Sequence, residues 1–183
     1  NVYKDLGQYA QAEVNHLKAI DLARKTLGEE HPDFAHCLSN MAELYRVTGR
    51  FAKGLQLCRQ ASIIYRDRFG EEDPRYARCL HNRALGFQEM GLHADALSLC
   101  HQAAAIMGKV FGEAHPEYGQ CIATLGAIYD GLGDFTEAEA YTKKAMDVLR
   151  RALGEDHSRY GATVHNLAML YVAIGDYTAA EPL

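Results

Sequence analysis

Cysteines and histidines are the residues of this chain that could bind a metal or act as nucleophiles. The cysteines are five in number, and no two follow the CxxC spacing of a zinc or redox site. Each is 21 residues from the next, at Cys37, Cys58, Cys79, Cys100 and Cys121. A metal site does not need such regularity, but an internal repeat produces it. We therefore interpret the cysteines as small packing residues at equivalent helix positions.

The nine histidines do not form a metal-binding or catalytic pattern either. His31, His115 and His157 fall in predicted turns, and His101 falls on the polar face of a predicted helix. The chain contains no GxSxG, GxxxxGK[ST] or HExxH motif. The sequence therefore predicts a protein without enzymatic activity, bound metal or cofactor.

The glycines show that the chain repeats every 42 residues. One series comprises Gly7, Gly49, Gly91, Gly133 and Gly175, and a second comprises Gly28, Gly70, Gly112 and Gly154. Around the second series the sequence reads Leu-Gly-Glu-Glu-His-Pro at 27–32 and Phe-Gly-Glu-Ala-His-Pro at 111–116. Self-similarity over the whole length indicates a repeat architecture.

Each repeat contains two predicted helices. Pro32, Pro74 and Pro116 suit the first helical position, where the missing N–H has no intrahelical partner. Apolar residues then recur at helical spacing until a glycine, and we expect Gly70 to take the left-handed conformation at a helix end. The pattern predicts no strand and helices at 32–48, 51–69, 74–90, 93–111, 116–132, 135–153 and 158–174.

Composition excludes several classes of function. The net charge of -5 is spread along the chain, and no basic stripe offers itself to nucleic acid. No run approaches the roughly 18 apolar residues of a membrane span, and the first residues do not read as a signal peptide. We expect a soluble cytoplasmic protein that contacts neither nucleic acid nor membrane. Because the repeats are incomplete at both ends, we also expect that the chain is a fragment of a longer protein.

Small and aromatic residues recur at fixed positions of the repeat. Their order resembles the tetratricopeptide signature, and it is read in one repeat as Leu38, Met41, Ala42, Tyr45, Gly54, Cys58 and Ala61. The period of 42 also falls within the range of HEAT repeats, so spacing alone leaves both families open. The small residues favour tetratricopeptide repeats, and the Gly-Glu-x-His-Pro turn resembles the long-helix repeats of kinesin light chains and many bacterial proteins.

This resemblance implies an all-α fold, an α-solenoid in which antiparallel helix pairs form a right-handed superhelix. The expected single array comprises full repeats at 27–68, 69–110 and 111–152, with partial repeats at 1–26 and 153–183. Two residues depart from the pattern. Arg83 replaces an apolar residue, and Thr124 replaces the asparagine of the other repeats. We expect the Arg83 stem to pack in the core and its head to reach solvent or an acidic partner.

In the family that the chain resembles, the first helix of each pair lines a concave groove that holds a peptide. Transferred by register, the predicted groove residues are His36, Ser39, Asn40, Glu43, Arg46, Arg78, His81, Asn82, Leu85, Gln88, Glu89, Gln120, Thr124, Asp130, His165, Asn166 and Met169. The asparagine amides could pair with a peptide backbone, or could tie one helix to the next.

Charged and apolar groove residues each leave two interpretations open. Arg46 and Arg78 could accept the carboxylates of an acidic ligand, or Glu43 and Glu89 could pair with them internally. Leu85, Ala123, Ala127, Met169 and Val172 would form an apolar floor. That floor could hold a ligand or pack against a continuation of the chain.

The sequence is compatible with two functions. The first is a scaffold that binds a protein or peptide partner, including one with acidic residues, in the concave groove. The second is a regulatory or sensor arm of a larger bacterial effector, whose protease or NTPase domain lies outside this fragment. In that case the partner is another domain of the same full-length chain. Fold does not decide between them.

Overall fold

The computed structural model describes residues 8–183, and every regular element in that range is an α-helix. We number the helices in chain order: α1 Tyr9–Leu27, α2 Pro32–Val47, α3 Phe51–Phe69, α4 Pro74–Glu89, α5 His93–Phe111, α6 Pro116–Leu132, α7 Phe135–Leu153, α8 Ser158–Ala173 and α9 Tyr177–Ala180. No strand occurs among these residues, which confirms the all-α prediction. Gly7, and Tyr3 before it, lie outside the described residues.

The predicted helix boundaries hold to within one residue. Four of the seven predicted ranges are reproduced, and α2, α4 and α8 each end one residue earlier than predicted. At those three ends Thr48, Met90 and Ile174 are C-cap residues, whose N–H groups still bond to carbonyls of the last turn. Differences of this size are expected where a last turn tightens.

Helices α2, α4, α6 and α8, which we call the first helices, begin with a side-chain cap. The Nδ1 atoms of His31, His115 and His157 accept hydrogen bonds of 3.1 to 3.2 Å from the N–H two residues later. At the equivalent position the Asp73 carboxylate accepts from the Arg75 N–H at 2.8 Å. The histidine of the Gly-Glu-x-His-Pro turn is therefore an N-cap, since it satisfies an N–H that has no partner within the helix.

Helices α1, α3, α5 and α7, which we call the second helices, end at glycines with an unusual backbone. Gly70 has φ 90° and ψ 172°, and Gly28, Gly112 and Gly154 have similar values. The expectation of a left-handed conformation at Gly70 is therefore wrong, because its ψ is extended. The positive φ with extended ψ is accessible to glycine and to almost no other residue.

The chain divides into two compact units, one ending at Met90 and the other beginning at Gly91. In the first unit, α1 to α4 bury a core that includes Phe34, Leu38, Leu44 and Tyr65. In the second unit, α5 to α9 bury residues that include Met107, Leu125, Ile128 and Leu149. The division falls between the two helices of the predicted repeat 69–110.

Small residues allow the close approach of paired helices. In the first unit Ala42 and Gly54 are buried against each other, and a Cβ on Gly54 would lie 3.0 Å from the Ala42 carbonyl oxygen. In the second unit a Cβ on Gly126 would lie 2.3 Å from Thr142 Oγ1. The small-residue positions of the repeat are therefore contact points between backbones.

The cysteines are packing residues in this structure. Cys58, Cys79, Cys100 and Cys121 are buried, Cys37 is half-buried, and all are free thiols. Burial raises the pKa of Cys58 and Cys121 to about 12 and that of Cys79 to about 11. The thiolate is the nucleophilic form, so these side chains are weakly reactive at neutral pH.

Candidate functional site

The first helices of the first unit, α2 and α4, contact each other through predicted groove residues. Ser39 Oγ lies 3.6 Å from Cys79 Sγ, and the Arg46 guanidinium on α2 contacts the Glu89 carboxylate on α4. Glu43 and Asn82 line the space between the same two helices. We call this surface, formed by Ser39, Asn40, Glu43, Arg46, Arg78, Asn82, Leu85, Gln88 and Glu89, the α2–α4 face.

Arg46 is held between two carboxylates of its own unit. Its Nε and Nη2 atoms donate to the two Glu43 oxygens at 2.9 Å each, and Nη1 donates to Glu89. The hydrogen bonds that Arg46 donates to Glu43 are the main reason that the pKa of Arg46 is raised above its usual range. Of the two roles considered for Arg46, this geometry favours pairing within the chain. Arg46 joins α2 to α4, and Arg78 is exposed on the same surface.

A small cavity lies below this ion-pair cluster. It is bordered by Asn82 and Gly86 of α4 and by Gly54, Leu55 and Cys58 of α3, and it offers about 10 Å³ to the centre of a water molecule. That volume suits one water. Gly86 keeps α4 close to α3, since a Cβ there would lie 2.9 Å from Leu55 Cδ2. The space beneath the α2–α4 face is therefore too small for a ligand side chain.

The asparagine of α2 makes a bond within its own helix. Asn40 Nδ2 lies 3.2 Å from His36 Nε2, one helical turn earlier. His36 is exposed and Asn40 is half-buried. Asn40 thus makes one contact within its own helix. Its amide lies at the edge of the α2–α4 face and has further donors and acceptors.

Two predicted groove residues are buried and do not belong to an accessible surface. His81 is 8% exposed, and Thr124 is 5% exposed. Thr124 Oγ1 donates to the Gln120 carbonyl at 3.1 Å within α6. Their burial argues against direct contact with a ligand, because both side chains point into the packing between helices. We therefore leave His81 and Thr124 out of the proposed binding surface.

The remaining predicted residues of the second unit lie on α6 and α8. Gln120 is half-buried, and the exposed residues are Asp130, His165, Asn166 and Met169. Helices α6 and α8 are joined by an ion pair between Arg159 and Glu117, at 3.1 Å. The residues that were predicted to form an apolar floor differ in exposure, since Ala123 is buried while Met169 and Val172 are exposed.

The sequence reasoning missed a groove on the second helices of the second unit. It lies between α5 and α7 and offers about 500 Å³ to water centres. His101, Tyr129 and Tyr141 cluster at one end of it. The signal that could have revealed it is a run of small residues in α5, at Ala104, Ala105 and Gly108, where the other second helices carry larger side chains.

Among residues 8–183, no three His, Cys, Asp or Glu side chains are placed to hold a metal ion. Within the same range no helix has the length and apolar character that crossing a membrane requires.

Comparison with known proteins identifies the repeat. The family model described as tetratricopeptide repeat matches residues 1–46, 33–96, 80–150 and 131–183. The protein named kinesin light chain-related 1 from Arabidopsis thaliana is 32% identical over 65 residues, which is 36% of this chain and 11% of that protein. The chain thus spans about a tenth of the length of this relative.

Solved structures share the fold. BtubC (BKLC) from P. vanneervenii superposes with a TM-score of 0.81 at 22% identity, over 98% of this chain and 72% of that one. A putative kinesin light chain with nearly identical repeats from Podosopora anserina gives 0.78 at 25% identity, over 98% and 85%. A Rap protein complexed with competence and sporulation factor gives 0.84 at 19% identity, over 99% and 48%.

Proposed function

This chain belongs to the tetratricopeptide repeat family, and we propose that it is a non-catalytic scaffold that binds a peptide segment or a helix of a partner protein on the first helices. The observation that carries the proposal is the α2–α4 face. It groups amide, charged and apolar side chains on two adjacent helices, where an extended or helical segment can contact both.

Asparagine amides give this face its capacity to bind a peptide backbone. The Asn82 side chain lies at the rim between α2 and α4, and Asn40 lies at the edge of α2. An amide offers both donors and acceptors, so it can pair with a peptide backbone whatever side chains the peptide carries. Each such pairing contributes about 0.5 to 1.5 kcal/mol net, so useful affinity requires several contacts together with the apolar surface near Leu85.

Charge selection on this face is assigned to Arg78 because its side chain is exposed, whereas Arg46 is half-buried. The Arg46 guanidinium is already bonded to Glu43 and Glu89, and a ligand carboxylate would have to displace them. Arg78 lies one turn from Asn82 on the exposed side of α4. We propose that Arg78 favours acidic side chains in the partner and that Arg46 keeps the two helices in register.

A second candidate function is that the chain is a regulatory arm of a larger protein. The observation that favours it is coverage, because this chain spans 11% of the kinesin light chain-related protein and 48% of the Rap protein. The Rap protein was solved in complex with competence and sporulation factor, so a chain of this fold can bind a ligand. Under this alternative the face that we propose is unchanged, and its ligand is another domain of the same protein.

The test begins with peptides selected from a displayed random library on the parent chain. Their affinities are then measured for Asn82→Ala and Arg78→Glu, with Asn15→Ala on α1 and Arg68→Glu on α3 as matched controls at exposed positions. We expect the first two substitutions to weaken binding about 2- to 10-fold each, as the loss of one polar pairing predicts. The Arg78→Glu effect should shrink as salt is added.

Circular dichroism must first show that every variant stays helical. If Asn82→Ala and Arg78→Glu bind as tightly as their controls, the α2–α4 face is not the binding surface. To separate the two candidate functions, the chain is titrated with separately produced domains of the full-length protein. Binding of such a domain to the α2–α4 face favours the regulatory arm.

A further inference from the structure

The groove missed by the sequence reasoning lies on the opposite type of helix from the α2–α4 face. We call it the α5–α7 groove, and it is lined by His101, Ala104, Ala105, Gly108 and Lys109 of α5, by Glu113, by Tyr118, Ile122 and Leu125 of α6, and by Tyr141 and Lys144 of α7. Its floor is apolar, since Ile122 and Leu125 are almost fully buried beneath it. Its volume of about 500 Å³ could hold several side chains.

Small residues at three positions of α5 create the groove. Ala104, Ala105 and Gly108 correspond in the 42-residue period to Ser62, Ile63 and Arg66 of α3. They correspond in α7 to Met146, Asp147 and Arg150. The side chains at these equivalent positions of α3 and α7 are larger than those of α5. Gly108 also lets the ring of Tyr118 approach α5, since a Cβ there would lie 3.1 Å from the ring.

One end of the groove is an aromatic cluster. The rings of Tyr129 and Tyr141 stack at 5.2 Å with an angle of 12°, and the His101 ring meets both edge to face at about 6 Å. His101 Nε2 also lies 3.2 Å from the Tyr129 hydroxyl. Aromatic side chains that are partly exposed supply large contact areas at low entropic cost and dominate many protein interfaces.

In this cluster, His101 takes the place of the glutamate that pairs with the equivalent tyrosine elsewhere in the repeat. Tyr45 and Tyr171, equivalent to Tyr129, donate their hydroxyls to Glu13 and Glu139 at 3.3 and 2.8 Å. The equivalent position opposite Tyr129 is Leu97, which cannot accept a hydrogen bond. The Tyr129 hydroxyl pairs with His101 instead, and this places an imidazole at the groove wall.

The other end of the groove carries positive charge. Lys144 Nζ donates to the Tyr118 hydroxyl at 2.8 Å and to Glu113 at 3.0 Å. Lys109 lies beside them on α5. By formal charge, the residues that line the groove include two lysines and one glutamate, on a chain whose net charge is -5. Such local contrast favours an acidic ligand.

We propose that the α5–α7 groove is a second binding site, which takes an acidic segment of a partner protein with one apolar or aromatic anchor side chain. The anchor lies on Ile122 and Leu125 between His101 and Tyr141, and a carboxylate lies near Lys109 and Lys144. His101 and Lys109 are eight residues apart, or about 12 Å along α5, so a segment of about two helical turns spans the groove. This site is independent of the α2–α4 face and would let the scaffold hold two segments.

The test uses 12-residue peptides selected on the parent chain and counter-selected on the Ala105→Arg variant. Ala105 is exposed, and larger residues occupy its equivalents Ile63 and Asp147, so arginine there fills the groove without disturbing the helix. Ala52→Arg, at an exposed position of α3, is the matched control. We expect peptides with net negative charge and an apolar anchor that bind the parent and Ala52→Arg equally.

These peptides should bind Ala105→Arg at least 10-fold more weakly and Lys109→Glu several-fold more weakly, with weaker binding in high salt. Asn82→Ala should leave their affinity unchanged, which separates this site from the α2–α4 face. The proposal is overturned if no peptide survives counter-selection, if the survivors are cationic, or if Lys109→Glu binds them as tightly as the parent.

Discussion

Burial of the cysteines has a direct chemical consequence at the scale of single residues. The pKa of Cys58 and Cys121 is raised to about 12 and that of Cys79 to about 11, in each case mainly by desolvation. Burial also raises the pKa of Cys100. At pH 8 a thiol with a pKa of 12 is ionised in roughly one molecule in ten thousand, so it reacts slowly.

We predict that Cys37 reacts first with a thiol reagent in the folded protein. It is the half-buried thiol, and the other four are buried. The measurement is the rate of colour release from a disulfide reagent at pH 8, with Cys37→Ser as the control that should lose the fast phase. In urea all five thiols should react together. A second fast thiol in folded Cys37→Ser protein would contradict the packing that we describe.

Arg83 is the residue at which the sequence departs furthest from its repeat. Its equivalents Met41, Leu125 and Leu167 are buried, whereas Arg83 is half-buried. It forms no ion pair within the described part of the chain, and its charge opposes the rise in the pKa of Cys58 and Cys79 that burial causes. The stem therefore contributes packing, and the charge contributes little stability.

We predict that Arg83→Leu leaves the free energy of unfolding unchanged or higher, because leucine restores the apolar residue of the other repeats. Arg83→Ala removes the stem as well and should lower stability by about 1 kcal/mol. Urea unfolding followed by circular dichroism measures both. A loss of several kcal/mol in Arg83→Leu would reveal a buried ion pair instead.

The sizes of the residues at which two paired helices meet are matched to each other. In the first unit, the first helix α2 carries Ala42 where α6 carries Gly126, and the second helix α3 carries Cys58 at the position of the repeat that is Thr142 in α7. In the second unit Gly126 faces Thr142, whose hydroxyl occupies the space that a Cβ would need. Glycine and threonine are therefore a coupled pair rather than two separate choices.

We predict that Gly126→Ala lowers the free energy of unfolding by about 1 to 3 kcal/mol, because the new methyl group overlaps Thr142. Adding Thr142→Cys to this variant reproduces the Ala and Cys pair of the other repeats and should recover most of the loss. A double-mutant cycle with Thr142→Cys alone measures the coupling. If the two changes prove additive, close approach at this point does not control the packing of α6 against α7.

The helix positions could be predicted because they depend on local signals. Proline or a capping side chain starts each first helix, and positive-φ glycines such as Gly49 follow its end, so the boundaries need no knowledge of the tertiary structure. The sequence named Glu43 and Glu89 as possible internal partners of Arg46, but it could not decide between them and the carboxylate of a ligand. Glu43 is one turn away, but Glu89 is 43 residues distant and reaches Arg46 only because α2 packs against α4.

Burial inside the repeat was also difficult to predict. His81 and Asn82 are neighbours on α4, yet His81 is buried and Asn82 lies at the rim of the α2–α4 face. Neighbouring residues of a helix are rotated by about 100° from each other, so His81 and Asn82 do not point in the same direction. Alignment with the repeat assigned both to the groove, and it does not show which of the two is buried. The α5–α7 groove escaped notice for a similar reason, because it depends on the relative positions of three helices.

In the molecule as a whole, both proposed binding sites are open surfaces rather than enclosed pockets. Among the described residues, the cavity beneath the α2–α4 face has room for one water, and the α5–α7 groove is open to solvent. Affinity at such surfaces comes from many weak contacts and a few well-packed anchors. Specificity should therefore depend on the order of side chains in the partner, and single substitutions should weaken binding by degrees.

Binding of a partner by the first helices is tested most directly by mapping a selected peptide onto the chain by nuclear magnetic resonance. The nitrogen-15-labelled protein is titrated with the tightest peptide that binds Ala105→Arg as well as it binds the parent, so that the α5–α7 groove is not the site observed. We predict that the largest amide shifts fall in α2 and α4, around Asn40, Arg78 and Asn82, and that Asn82→Ala reduces them at equal peptide concentration. Shifts confined to the second helices α1 and α3, with α2 and α4 unchanged, would contradict the claim that the first helices bind the partner.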